Sequence, residues 1–257
     1  MLSFIALALT FNNLNFHKSK YVHSANAISG GLYSNISNIS EYIKLKSENK
    51  LLAEENMRLR NLLERNKNIA YSLDSTIIDT LKYRQKFKYC SAKIIKNDYN
   101  KPFNFLTINK GKKDSLSKEM AVINSKGVIG ITDNTSKNYS TVQSILNKNT
   151  KINARIKNNN YFGTLRWNAN NYNVVQLHDI PRQAVLNIGD TIETGGKSTI
   201  FPEGILIGTI SKIYKGNTVD NKVDVKLFND MSNLRHVYVI KSLDKLEVDS
   251  LVNTENE

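Results

Sequence analysis

The chain has 257 residues, a formal net charge of +13 and 40% hydrophobic residues, enough for one large domain or two small ones with a packed core. Its single cysteine, Cys90, excludes an intramolecular disulfide and a thiolate metal cluster. The basic excess excludes a nucleic-acid surface: it is mixed with acids, as in Lys44, Lys46, Glu48, Lys50, Glu54, Glu55 and Arg58, without long like-charge runs or basic tracts interleaved with aromatics.

Residues 1–11 are read as a partial transmembrane anchor, with Leu2, Phe4, Ile5, Leu7, Leu9 and Phe11 as its apolar side chains. Ten helical residues rise about 15 Å, half of a bilayer core. No basic segment precedes the stretch and no small-x-small cleavage site follows it directly, so it does not read as a signal peptide. It is expected to be the outer part of a longer membrane-spanning helix. A membrane-proximal linker over 12–33 follows, in which Gly30-Gly31 marks a helix start or bend.

Residues 34–72 are expected to form a dimerising coiled coil. Tyr42, Leu45, Asn49, Leu52, Asn56, Leu59 and Leu63 recur at alternating spacings of three and four, the a/d seam of a two-stranded coil. Leu45, Leu52 and Leu59 fill d positions, while Asn49 and Asn56 fill a positions, where a buried Asn favours a parallel, in-register homodimer. In that register Glu41 faces Lys46 and Glu55 faces Arg60 across the dimer. The competing reading is an amphipathic helix docked on its own globular domain. The face opposite the seam (Lys50, Glu54, Met57, Asn61) is almost entirely polar, which speaks against it.

After a linker over 73–90, the period shifts from 3.6 to 2. The spacing predicts strands over 92–96, 103–109, 120–124, 127–132, 141–146, 152–157, 161–167, 174–178, 191–194, 205–214, 222–228 and 236–241. So many short strands with tight turns and no intervening helix predict a mainly β domain over 91–243, built as two small antiparallel β-barrels. The helix is expected to contribute nothing to its core, and residues 244–257 are expected to be a flexible acidic tail. Lys110-Gly-Lys-Lys-Asp114 and Asn187-Ile-Gly-Asp190 predict tight reversals, the second with a positive φ at Gly189 and a local Asp190 hydrogen bond.

No catalytic constellation emerges. Thr191-Ile-Glu-Thr-Gly-Gly-Lys-Ser198 resembles a phosphate loop but lacks the leading Gly, and Thr199-Ile-Phe-Pro202 cannot open a helix. None of His17, His23, His178 and His236 has metal-ligand spacing to another donor. No Gly-x-Ser-x-Gly elbow is present. Trp167 reads as core or as a turn cover, and Cys90 as a small packing residue. The chain is therefore expected to be non-enzymatic, with no cofactor and no metal. The alternative is a two-barrel serine hydrolase using His178, which a serine within hydrogen-bond reach of that imidazole would favour.

Four stretches carry a family resemblance: Leu106-Thr-Ile-Asn-Lys-Gly-Lys-Lys-Asp114, Met120-Ala-Val-Ile-Asn-Ser-Lys-Gly-Val-Ile-Gly-Ile131, Ile188-Gly-Asp-Thr-Ile-Glu-Thr-Gly-Gly196 and Phe201-Pro-Glu-Gly-Ile-Leu-Ile-Gly-Thr-Ile210. In this order, behind a coil ending Glu54-Glu-Asn-Met-Arg-Leu-Arg-Asn-Leu-Leu63, the chain resembles the bacterial rod shape-determining protein MreC family. Ser115 departs from the Gly expected after Asp114. The resemblance implies a single-pass inner-membrane protein with its bulk in the periplasm, acting as a scaffold of the cell-wall elongation complex. It further implies contacts with the elongation-specific transpeptidase and glycosyltransferase of peptidoglycan synthesis, with MreD and with the MreB filament system. No contact residues are carried over by it.

Overall fold

The computed structural model describes residues 3, 45, 47–65, 86–214 and 220–254. Two compact units emerge, Met1–Leu52 and Ala53–Glu257. Tyr42 and the anchor residues Leu2, Phe4, Ile5, Leu7, Leu9 and Phe11 lie outside the described residues, as do Glu41, Lys46 and Gly30-Gly31. Among the described residues no helix is long and apolar enough to cross a membrane.

Helix α1 spans residues 47–65. Among the described residues twelve strands follow, one at each predicted position: β1 Phe87–Asn97, β2 Phe103–Ile108, β3 Ala121–Ile123, β4 Val128–Thr135, β5 Ser140–Asn147, β6 Ile152–Ile156, β7 Phe162–Arg166, β8 Val174–Pro181, β9 Thr191–Thr194, β10 Leu206–Tyr214, β11 Asp220–Leu227 and β12 His236–Ser242. A 3-10 turn occupies Lys112–Asp114, and a second helix, α2, spans Lys245–Thr254.

The strands close into two six-stranded antiparallel barrels. Barrel 1 runs β1-β12-β3-β4-β5-β2 and barrel 2 runs β10-β11-β8-β7-β6-β9. Barrel 2 is therefore inserted between β5 and β12. Closure removes the open sheet edges that isolated strand sets would expose. Alternation fills both interiors: Val223, Val225 and Leu227 point inward from β11, while Leu106 and Ile108 do so from β2.

The barrels are joined by amides, of which Asn229 is buried and Asn97 and Asn124 are half-buried. Asn229 accepts from Asn124 Nδ2 at 2.6 Å and donates to the Val128 carbonyl at 3.1 Å, and Asn97 donates to the Met231 carbonyl at 2.8 Å. The turn before β4 lies so near β10 that a Cβ on Gly127, whose φ is +145°, would sit 2.1 Å from the Leu206 carbonyl oxygen. Tyr99 and Tyr172 complete the junction edge to face, with centroids 5.7 Å apart.

Three expectations are corrected. β1 begins at Phe87, not beyond residue 90, because the Phe87–Lys93 stretch pairs with Ser242–His236 of β12. The segment after 243 is not a plain tail: α2 is anchored by Lys245, which bridges Glu119 and Asp249. The helix does supply a partner for the barrel core, since Met57 packs against it. The anticipated turns form: Asp190 Oδ2 accepts from Asn187 N at 3.0 Å, with Gly189 at φ +93°. Ser115 takes the left-handed conformation at φ +62°, so the turn survives without glycine there.

Candidate protein interface

α1 has two faces with different environments. Leu45 and Leu52 are 48% and 59% exposed, and Leu59 and Leu63 are 45% and 61% exposed. Burying the exposed half of each such leucine against a partner is worth about 1 kcal/mol. Asn49 is exposed as well and donates from Nδ2 back to the Leu45 carbonyl at 3.0 Å.

The other face docks on barrel 1. Ala53 is buried, and Met57, Arg60, Asn61 and Glu64 are half-buried, a spacing of four, three, one and three that places them on one side of the helix. They cover the stretch of β1 that precedes its pairing with β2, which starts only at Ile94. Asn61 acts there as a neighbouring strand would, accepting from Tyr89 N at 2.9 Å and donating to the Tyr89 carbonyl at 3.3 Å. The Ser91 N–H points to Met57 Sδ at 3.2 Å. Arg60 lies over the rings of Tyr238 and Tyr89, with its guanidinium carbon 5.3 and 5.8 Å from their centroids. This cover explains why Val237, Tyr238, Val239 and Ile240 are all buried where alternation alone would leave every second one outside. Burial pushes the Tyr89 phenol up to about 12, with the Glu64 charge adding to it and Arg60 opposing it.

Docking and seam are therefore compatible. The helix rests on the barrel through the polar face that was expected to argue against docking, and its leucines stay outward. Within the single chain Glu55 holds Arg58 at 2.6 Å, and Arg60 lies over the two tyrosines. The docking residues could have been noticed in the sequence, since Ala53, Met57 and Asn61 recur every fourth position where a solvated coil face ordinarily carries charge.

His178 is half-buried in β8 opposite Thr164, and among the described residues no serine hydroxyl hydrogen-bonds to it. Burial and the Lys222 and Arg166 charges hold its pKa below the ordinary imidazole value. Residues 191–194 are strand β9, and Gly195-Gly196 turn the chain without opening a helix. Glu193, only 4% exposed, accepts from Arg155 Nη2 at 2.6 Å and Nε at 2.9 Å, and Arg155 also meets Glu203. Trp167 covers its turn, donating from Nε1 to the Asn171 carbonyl at 2.9 Å. Burial pushes the Cys90 thiol up, as suits a packing residue. Among the described residues no three His, Cys, Asp or Glu side chains are placed to hold a metal ion.

The profile of one family, "Rod shape-determining protein MreC, barrel core", matches residues 94–241. The chain belongs to the MreC family. It is similar to the cell shape-determining protein MreC of Listeria monocytogenes, 27% identical over 201 residues that cover 77% of this chain and 66% of that protein. The chain thus spans just under two thirds of that relative. The solved MreC of Listeria monocytogenes superposes with a TM-score of 0.60 at 26% identity, covering 77% of this chain and 94% of that one. A chain in the complex between penicillin-binding protein PBP2 and MreC from Helicobacter pylori shares the fold, with a TM-score of 0.52 at 20% identity over 62% of this chain and 99% of that one. The family's barrel core coincides with the two barrels described above, while α1 lies outside the matched residues.

Proposed function

We propose that this protein is a non-enzymatic, membrane-anchored scaffold of the bacterial cell-wall elongation complex, which supports cell shape by dimerising and by binding peptidoglycan synthesis proteins. The observation that carries this reading is the exposed leucine stripe of α1, held outward while the opposite face is fixed to barrel 1. A parallel homodimer through Leu45, Asn49, Leu52, Asn56, Leu59 and Leu63 covers that stripe and leaves both barrels free. Dimerisation doubles the valency toward membrane-confined partners. The Helicobacter pylori relative is solved in complex with PBP2, which supports the elongation-specific transpeptidase as one partner of this chain. The glycosyltransferase, MreD and the MreB filament system are further partners by family membership, with the barrels in the periplasm and residues 1–11 at the inner membrane.

Sedimentation of the chain at micromolar concentration, with and without Leu52→Asp and Leu59→Asp together, tests the reading. The wild type is expected to dimerise and the double variant to be monomeric with unchanged barrel melting, because both leucines are exposed in the single chain. The same variant is expected to lose shape support in a depletion strain, while His178→Ala with His236→Ala retains it. A strictly monomeric wild type, or essential histidines with a dispensable stripe, overturns the proposal.

A further inference from the structure

Beside the docked end of α1 the surface of barrel 1 is hollowed. A cavity of about 400 Å³ opens between Met57 and Asn61 of α1, Tyr89 and Cys90 of β1, and Leu116 and Met120. Through Leu116, Met120 and Leu243 it continues into a second cavity of about 950 Å³ that reaches Leu246 of α2. The floor is apolar. Leu116 and Met120 are buried beneath it, and Leu243 and Leu246 stand 37% and 85% exposed along it.

The rim is basic and unbalanced. Lys88 and Lys241 are direct cross-strand partners in the β1–β12 ladder, and like charges in that position repel. Neither is neutralised by an ion pair among the described residues, and the same holds for Lys112 and Lys118 on the adjoining rim. The two acids that line the hollow are already engaged, Asp114 by Lys110 at 2.6 Å and Glu119 by Lys245. The groove thus combines exposed apolar floor with uncompensated positive charge.

We propose that this groove binds an acidic, apolar-anchored peptide segment of a partner protein, whose apolar side chains enter over Leu116, Met120 and Leu243 and whose carboxylates meet Lys88 and Lys241. A second copy of this chain, at +13, brings the wrong sign of charge. A bilayer presents a plane, which does not fill a hollow set between α1, α2 and the barrel wall. The proposal rests on the reading that the protein works by binding, but it does not depend on dimerisation.

The four methionines make a direct probe. Met57 and Met120 line the groove, and Met231 is fully buried elsewhere. The full chain in detergent micelles, carrying carbon-13 methionine methyls, is titrated with a peptide of Leu and Glu, about 14 residues or ~21 Å of helix. The expected result is a shift of the Met57 and Met120 signals with Met231 unmoved, at a dissociation constant of about 100 µM or tighter. Lys88→Glu with Lys241→Glu is expected to weaken binding about tenfold or more. Leu243→Glu, at a half-exposed position, serves as a second variant if the first disturbs Met231. Binding is expected to persist in Leu52→Asp with Leu59→Asp, which separates this groove from the dimer seam. The proposal is overturned by unmoved Met57 and Met120, by equal binding of a Leu and Lys peptide, or by undiminished binding in both groove variants. It is also overturned if phosphatidylglycerol vesicles shift the same signals and displace the peptide, which would assign the groove to lipid.

Discussion

The two barrels share a strand count and antiparallel pairing but reach closure by different routes. Barrel 2 is one continuous stretch from Ile152 to Leu227, with β6, β7 and β8 side by side and β9, β10 and β11 side by side. The outer face of its wall carries an ion pair between cross-strand neighbours, Arg155 with Glu193. Barrel 1 is interrupted by barrel 2 and closes only when β12 returns to sit between β1 and β3. Its β1–β12 ladder runs over seven pairs, and the stretch of β1 that β2 does not reach is completed by a side chain of α1. Barrel 2 thus closes from strands contiguous in the chain. Barrel 1 is where helix, second barrel and C-terminal segment meet, which is also where the surface is grooved.

The harshest way to sharpen this comparison is to end the chain after Leu234. Without β12, barrel 1 has no closing strand, and amide exchange is expected to show its strands unprotected while β6 to β11 stay protected. Uniform loss of protection would mean the barrels fold as one unit. A smaller effect is expected from Arg155→Ala, which strands the buried Glu193 and should cost about 3 kcal/mol. The loss should appear in barrel 2 alone by residue-resolved exchange.

Asn61→Ala acts on the other barrel. It strips the partner from both backbone groups of Tyr89 and should lower stability by about 1–2 kcal/mol, read as a fall in the barrel 1 melting midpoint with barrel 2 unchanged. An unchanged midpoint would mean that α1 rests on the barrel without supporting it.

The mildest test uses pH. His178 lies in barrel 2 and His236 in barrel 1, and burial holds each below the ordinary 6.5, with Lys222 and Arg166 adding to it for His178 and Lys93 and Arg235 for His236. The unfolded chain therefore takes up these protons first as pH falls. Stability is full above about 6.5 and declines as pH drops below it toward the folded values. His178→Gln should flatten that decline in barrel 2 only, and His236→Gln in barrel 1 only. A decline untouched by either would assign it to carboxylates such as Asp114, held low by Lys110.

How much of this was legible in the sequence depends on whether the signal is local. Strand positions were, since period-2 apolar runs bounded by turn residues, as in Val223 to Leu227, depend only on neighbours along the chain. The turn at Asn187 to Asp190 was legible for the same reason. The start of β1 was not, because Phe87 and Lys88 become strand through pairing with β12, some 150 residues later. Nor was the docking of α1. Its leucines dominate the helical period, and the Ala53, Met57 and Asn61 face gains meaning only beside the part of β1 that β2 leaves unpaired. The groove was hidden for a similar reason, since Lys88 and Lys241 become neighbours only across a ladder.

The sequence by itself determined the β class, the twelve strand positions, the outward leucine period of α1 and the family resemblance. Each of these is written in spacing along the chain, through alternation, turn chemistry and motif order. Tertiary structure alone decided that one barrel is inserted within the other, which face of α1 meets the barrel, and where lysines gather around an apolar floor. Those outcomes depend on which backbone groups and surfaces remain unsatisfied after distant strands have paired, and no local period encodes that remainder.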